Sequence, residues 1–340
     1  MDLIRVRCID IDKMKEKTIN FFKYSALGND YIVIDPNSDS FEPDAKLIEN
    51  ICSRNFGIGA DGILLGPIFN EPNNKVLRKS LIIPLSKSLK KFLVMTFEKL
   101  SNKFLTRPLN KIKIEGKTIS VRIFNSDGSE AEKSGNGLRI FSQYLMDKGY
   151  IKKEKSVEII TKGGVVKSTF NDDRTISIEM GKIKFYEDEL EILAYNEMDE
   201  KNKVKFKGTY LSIGNPHFVI IMDKIDESLA KKYGKSIETN SFFKNKTNVQ
   251  FAQILSPNSI KIEIYERGSG YTLASGSSAC AAAATCFKKG LVEEEVEVVM
   301  QGGRLKVFIG EDFNIVQRGK VKYIFQGKFF ISTFLDKFQN

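Results

Sequence analysis

The chain has 340 residues, 41% of them apolar, which is enough to bury a sizeable core in about two domains. No apolar run approaches the ~18 residues that cross a bilayer, and the N-terminal residues carry charges where a signal peptide has its apolar stretch. We therefore expect a globular cytoplasmic protein with no stable membrane insertion.

The formal net charge of +10 is unevenly distributed along the chain. Between Asn74 and Lys111 there are ten lysines or arginines and one acidic residue, Glu98, whereas the rest of the chain is nearly neutral. A basic segment can bind phosphates or an anionic membrane, but a solvated helix face is the commoner cause of this pattern. The sequence therefore predicts no nucleic-acid partner.

The four cysteines are widely spaced and form no C-x-x-C pair. They are Cys8, Cys52, Cys280 and Cys286. Reduced thiols are the expected state, and neither a disulfide framework nor a metal site is predicted.

The N-terminal part of the chain begins with a predicted strand, turn and strand in FFKYSALGNDYIVID (21–35). DAKLIENICSRN (44–55) is predicted to be a helix, and GIGADG (57–62) follows it. GIGADG matches the G-x-G-x-x-G pattern, but a dinucleotide site needs the order strand, glycines, helix. Here the order is helix, glycines, strand, so no nucleotide site is predicted.

Residues 67–117 form a block rich in Lys, Leu and Phe. Its apolar residues between Leu85 and Phe104 keep roughly helical spacing, which predicts an inserted helix. The apolar face of this helix is expected to dock on its own domain, although a basic amphipathic helix can also lie on a membrane.

Two stretches of the chain are alike, EKSGNGLRIFSQYLMDKG (132–149) and LASGSSACAAAATCFKKG (273–290). Each is predicted to be a helix that starts at Ser-Gly, and a glycine suited to the helix end closes each stretch at the same distance from its serine. Predicted hairpins follow at 157–167 and 296–306, and Asn125 and Glu266 precede the two serines by equal distances. The chain is therefore predicted to contain an internal duplication with two similar α/β halves.

A helix start presents unpaired backbone N–H groups and the positive end of the helix dipole, which suits a carboxylate. Two such starts related by a pseudo-twofold axis can hold one carboxylate, with Ser134 and Ser275 on opposite faces of the neighbouring carbon. That arrangement suits inversion of a stereocentre by two proton transfers. The alternative is that both serines are ordinary helix N-caps.

At these residues the sequence resembles the diaminopimelate epimerase family of PLP-independent amino-acid epimerases and racemases. The resemblance rests on six motifs in the family's order, and the segments 1–20 and 67–117 lie outside it. The motifs are SALGNDYIVID (25–35), RNFGIGADGILL (54–65), RIFNSDGSEAEKSGNGLR (122–139), GNPHFVI (214–220), TNVQFAQI (247–254) and ERGSGYTLASGSSA (266–279).

The resemblance implies an α/β (α+β) fold of two pseudo-symmetric domains, each a sheet wrapped around a central helix. We expect one half to span 18–179, with the basic insertion 67–117, and to be completed by 321–340; the other half spans 180–320. The site then lies between the halves. The implied activity is interconversion of LL- and meso-diaminopimelate without cofactor or metal, in lysine and peptidoglycan precursor synthesis, by a protein that we expect to be a homodimer.

The resemblance also implies the site residues. Ser134 and Ser275 stand at the two catalytic positions. Side-chain contacts to substrate are implied for Asn29, Asn125, Asn215, His217, Asn248, Glu266 and Arg267, with Glu266 on the distal ammonium and Arg267 on the distal carboxylate. Backbone contacts to the carboxylate of the reacting carbon are implied for Gly135, Asn136, Gly276 and Ser277.

The sequence departs from the family at both catalytic positions, where the family has cysteine. A thiol has a pKa near 8.5 that a helix start lowers, whereas a serine hydroxyl needs a partner base. His217 cannot serve two faces and is expected to have a turn role, and Cys280 is expected to be a buried core residue. Gly62 replaces a side chain that some relatives offer to substrate.

We therefore expect an epimerase scaffold that is inactive or very slow. Two alternatives remain open, a non-catalytic binding or regulatory homologue and a related racemase or isomerase of different specificity.

Overall fold

The computed structural model describes residues 17–70, 118–152, 156–196 and 199–335. The helix predicted in the 67–117 block lies outside these ranges. Residues 67–70, at the start of that block, belong to a strand of the fold instead of an insertion. None of the helices in the described ranges is long and apolar enough to cross a membrane.

The first part of the chain forms eight strands and two helices. They are β1 (Thr18–Ala26), β2 (Asn29–Ile34), α1 (Ala45–Cys52), β3 (Gly62–Asn70), β4 (Thr118–Asn125), β5 (Glu130–Ala131), α2 (Gly135–Asp147), β6 (Val157–Thr161), β7 (Gly164–Phe170) and β8 (Ile176–Lys182).

The second part begins with an additional strand, β9, and then repeats this order from β10 to β17; a final strand and short helix follow it. The elements are β9 (Lys184–Asn196), β10 (Asp199–Ser212), β11 (Pro216–Ile221), α3 (Glu227–Glu238), β12 (Asn248–Ser256), β13 (Ser259–Glu266), β14 (Gly270–Thr272), α4 (Gly276–Lys288), β15 (Glu295–Met300), β16 (Gly303–Ile309), a 3₁₀ turn (Glu311–Phe313), β17 (Asn314–Gly319), β18 (Lys322–Phe330) and α5 (Ser332–Leu335).

Strand pairing confirms the predicted duplication. β4 runs parallel to β6 with Ile119 opposite Ile159, and β13 runs parallel to β15 with Ile260 opposite Val298. Ile119 and Ile260 are separated by the same interval as the two helix starts, and Ile159 and Val298 by the same interval as the two hairpins of the sequence repeat. The two halves therefore share one pattern, in which the strands of each half surround a central helix of its own.

The central helix of each half is buried on nearly all sides. In α2 and in α4, ten of the 13 residues are buried, so each helix is surrounded by strands instead of lying on a sheet surface. Residues 279–284 of α4 are five alanines and one cysteine, all fully buried, and such small side chains let the strands approach closely. Both helices contribute to a single apolar core, so burial of apolar surface joins the halves.

The helix predicted at 44–55 ends early, at Cys52. The glycine loop that follows turns back on it, because the amides of Ile58 and Gly59 donate to the Ile51 carbonyl. Gly57 packs against the last turn of α1 and has no room for a side chain. The order helix, glycines, strand is confirmed: Gly57 and Gly59 serve the end of α1, and Gly62 begins β3.

β8 and β17 pair with each other and connect the two halves, with Ile178 opposite Gln317. After β17 the chain returns to the first half, where β18 pairs with β1. The domain boundaries 18–179, 180–320 and 321–340 stay a prediction, which the return of β18 to β1 supports.

Gly149 and Gly290 end the two central helices in left-handed backbone conformations, with φ of +73° and +69°. Because both positions are open and equivalent, Gly149→Ala and Gly290→Ala should each cost about 1 kcal/mol of unfolding free energy. Gly149→Asn should cost less, since Asn tolerates this conformation. Urea unfolding measures the three variants, and a stabilising alanine at either position would contradict the assignment.

Candidate active site

Both serines cap the central helices, as one interpretation of the sequence held. Ser134 Oγ accepts a hydrogen bond from the Gly137 amide at 3.1 Å, and Ser275 Oγ accepts one from the Ser278 amide at 3.4 Å. Capping holds each hydroxyl at the first turn of its helix. A serine that caps its helix and a serine that contacts a ligand would both stand at this position, so capping does not exclude a role toward a ligand.

The two helix starts approach each other around the side chain of Gln317, which is fully buried. A Cβ added to Gly135 would overlap Gln317 Nε2, and one added to Gly276 would lie 2.5 Å from Gln317 Oε1. The two ends of one carboxamide therefore each face one helix start. Glycine is required at both positions because any side chain would occupy the space of Gln317.

Tyr31 lies beside Ser134, with 3.2 Å between its hydroxyl and Ser134 Oγ. Gly62, on the neighbouring strand, gives the ring its room, because a Cβ there would lie 2.7 Å from Tyr31 Cε1. Burial raises the pKa of Tyr31 to about 12, so the phenol keeps its proton at neutral pH. Sequence reasoning noticed Gly62 but missed Tyr31.

Glu266 lies on the other side of the site, beside Ser275. Burial raises the pKa of this carboxyl, the hydroxyls of Ser275 and Thr272 act in the opposite direction, and the charge of Asp61 raises it further. Because Asp61 belongs to the first half and Glu266 to the second, both halves contribute to one electrostatic environment.

Asn29 belongs to a charged network at the edge of the first half. Its side-chain amide donates to Asp61 at 2.8 Å, and Arg54 donates to the other oxygen of Asp61 at 2.7 Å. Burial and the neighbouring Asp30 raise the pKa of Asp61. Asn29 is thereby held in a fixed orientation.

The structure brings Asn215, His217, Asn248 and Arg267 together. Asn248 donates to the Pro216 carbonyl at 2.8 Å and accepts from the Arg267 backbone amide at 3.0 Å. His217 lies directly opposite Asn248 in the parallel pair of β11 and β12. Its Nε2 atom is 3.1 Å from Asn215 Oδ1.

His217 was expected in a turn, but it is fully buried within β11, because Pro216 already begins the strand. Burial lowers its pKa to about 3, so the imidazole is neutral at physiological pH. The Arg267 side chain is exposed, and its guanidinium donates only to the Asn245 carbonyl among its described hydrogen bonds, at 3.4 Å.

The remaining predicted residues differ in exposure. Asn125 is exposed at the end of β4, opposite Gly62 of β3, and donates to Ser129 Oγ at 3.0 Å. Asn136 is buried and accepts from Arg139, and Ser277 Oγ lies 3.5 Å from Ser275 Oγ. Burial raises the pKa of the Cys280 thiol to about 12, so it stays protonated, as a core cysteine does.

Sequence comparison assigns the chain to a protein family. The family model described as "Diaminopimelate epimerase" matches residues 104–186 and 209–324. "Diaminopimelate epimerase 2" of Nostoc sp. is 40% identical over 316 residues, which cover 91% of this chain and 95% of that protein. The chain belongs to the diaminopimelate epimerase family. Members of this family are isomerases.

Other matches agree with this assignment to the diaminopimelate epimerase family. The diaminopimelate epimerase of Carboxydothermus hydrogenoformans is 32% identical over 322 residues, which cover 92% of this chain and 100% of that protein. The family match starts at residue 104, so it includes the end of the 67–117 block, which the sequence analysis had placed outside the resemblance.

Solved structures share the fold of this diaminopimelate epimerase family member. A Bacillus anthracis protein of the PhzF family superposes with a TM-score of 0.61 at 14% identity, over 92% of this chain and 99% of that one. A hydroxyproline epimerase from Agrobacterium vitis gives 0.60 at 11% identity, over 92% of each chain. These likenesses confirm the expected fold.

The contact of Gly135 with Gln317 can be tested by a double-mutant cycle. Gly135→Ala should cost about 1–3 kcal/mol of unfolding free energy because its Cβ overlaps the carboxamide. In a Gln317→Ala background the same substitution should cost less by more than about 0.5 kcal/mol. Gly290→Ala should cost the same in both backgrounds. Additive effects at Gly135 would show that the helix start does not meet Gln317.

Proposed function

We propose that this protein binds diaminopimelate between its two halves and interconverts the LL and meso forms by two-sided proton transfer at the α-carbon. The observation that carries the proposal is the approach of the two helix starts to the ends of one buried carboxamide. Two helix starts that face one group can offer backbone amides to a single carboxylate from two directions.

In this proposal Gly135, Asn136, Gly276 and Ser277 bind the α-carboxylate through their backbone, and the side chains at 134 and 275 approach the α-carbon from opposite faces. Asn29, Asn125, Asn215, His217 and Asn248 surround the ligand. Glu266 binds the distal ammonium and Arg267 the distal carboxylate; the Arg267 guanidinium is exposed and, within the described part of the chain, donates only to one carbonyl, at 3.4 Å.

The serines make the proposed reaction slow. An alcohol at a helix start remains protonated, so each serine needs a neighbouring base. The neighbour of Ser134 is the Tyr31 phenol, whose proton stays in place, and the neighbour of Ser275 is the Glu266 carboxyl. The two faces are therefore unequal, and we propose that turnover fails first on the Ser134 face.

Restoring thiols should restore proton transfer. The Ser134→Cys, Ser275→Cys double variant should exchange the α-proton of diaminopimelate with deuterated water at least about 100-fold faster than the parent, since a positioned base contributes about 10²–10⁴. Mass spectrometry follows the exchange. Ser228→Cys, which adds a thiol at the start of α3 outside the site, is the matched control. Equal exchange in parent and double variant would exclude the mechanism.

The substrate can be tested without chemistry, by calorimetric titration. The parent should bind diaminopimelate more tightly than lysine, which lacks the distal carboxylate. Arg267→Gln should weaken diaminopimelate binding by about 10-fold or more and leave lysine binding unchanged, because a charge-assisted pair is lost for one ligand only. A uniform effect on both ligands would reject the role of Arg267. Failure of the parent to bind diaminopimelate would reject the substrate.

We also propose a cytoplasmic homodimer. Among the described residues β18 pairs only with β1, and it exposes Tyr323, Ile324 and Phe325 by 41–46%. An apolar edge strand of this kind is a common association surface. The described cysteines Cys52, Cys280 and Cys286 are free thiols, which suits a reducing compartment.

The β18 edge can be tested by one charge. Ile324→Asp should convert the dimer to a monomer in sedimentation velocity, because a carboxylate would be buried at the edge. Val165→Asp, at an exposed position of β7 away from this edge, should leave the dimer intact. A monomeric parent would reject the homodimer, and a dimeric Ile324→Asp would place the interface elsewhere.

A further inference from the structure

Gln317 breaks the symmetry of the duplicated fold. It pairs with Val307 of β16, and in the first half Ile178 pairs with Ser168 of β7, at the interval that relates the two hairpins of the repeat. Ile178 and Gln317 therefore occupy equivalent positions, and both are fully buried. The fold accepts an apolar side chain here. Burying an amide costs free energy that an apolar side chain would not, so packing alone does not explain why Gln stands at this position.

Arg139 breaks the symmetry at the neighbouring position. Its equivalent in α4, at the same distance from the helix start, is Cys280, and both are fully buried. Arg139 Nη1 donates to Gln317 Oε1 at 2.9 Å, and Nη2 donates to Asn136 Oδ1. Nε has no partner among the described residues, and no described carboxylate forms an ion pair with Arg139. Arg139 is therefore a buried cation with no counter-charge among the residues that the structure describes.

Several sources of positive potential surround the carboxamide of Gln317. They are the starts of α2 and α4, the guanidinium of Arg139, and Lys133, whose ammonium donates to the Met180 carbonyl at 2.7 Å. Gln317 Nε2 lies 2.8 Å from Met180 Sδ. Burial lowers the pKa of Arg139 to about 10, which leaves it charged at neutral pH. The group at the centre of this potential is neutral.

We propose that Gln317 determines the affinity of the site for a carboxylate, because its neutral carboxamide keeps the position between the two helix starts uncharged and leaves their positive potential for the ligand. The inference rests on the proposed function in one respect, that the ligand places its α-carboxylate at these helix starts. Gln317 then acts through Arg139 and the helix starts as a specificity-determining residue that need not touch the ligand.

The decisive variant is Gln317→Glu, which keeps the shape and adds a charge. The new carboxylate gains an ion pair with Arg139 and the favourable helix starts, so the thermal unfolding midpoint should stay equal or rise. The same charge opposes the ligand at short range, so the affinity for diaminopimelate in calorimetry should fall about 10-fold or more.

Gln317→Leu separates charge from structure. It removes the acceptor of Arg139, so the unfolding midpoint should fall, but it adds no charge, so the affinity should stay within about threefold. A purely structural role would make affinity follow stability in both variants. Gln253→Glu makes the same charge change on β12, opposite Lys261, and should alter neither quantity.

The outcomes separate this inference from the proposed substrate. Unchanged affinity in Gln317→Glu, or a loss in Gln317→Leu as large as in Gln317→Glu, overturns the inference and leaves the function standing. A parent that binds another α-amino acid but not diaminopimelate overturns the substrate, and the same variants are then compared with that amino acid. A parent that binds no α-amino acid overturns both.

Discussion

The approach of two helix starts at Gly135 and Gly276 is the constraint on which the rest of the site depends. Each start meets one end of the Gln317 carboxamide, and a single methyl group at either glycine would occupy the space of that carboxamide. This approach is possible because α2 and α4 are buried inside their sheets and share one apolar core. The fold thereby brings the first-turn backbone amides of two helices to one place.

The duplicated scaffold is symmetric, but the side chains around its centre are not. One serine has a phenol beside it and the other a carboxyl, and a buried arginine on one side faces a buried cysteine on the other. These differences matter because a two-sided proton transfer needs comparable bases on both faces. In the mechanism proposed above, serine at both positions makes proton transfer depend on neighbours that differ in kind.

Much of this arrangement followed from the sequence, because helix caps and glycine-ended helices are local signals. Ser134 with Gly149 and Ser275 with Gly290 give the length and repeat of the central helices directly. Tyr31 and Gln317 could not be found in the same way. Their contacts depend on which strands pair and in what register, and a single sequence carries no local signal for a partner that is distant along the chain.

The most direct measurement of the central claim is a crystal structure of the protein with diaminopimelate bound. We predict that the oxygens of one ligand carboxylate lie within hydrogen-bond distance of backbone amides from the starts of both α2 and α4, with Ser134 and Ser275 on opposite sides of the α-carbon. A ligand carboxylate held by one helix start alone, or bound away from both, would contradict the account.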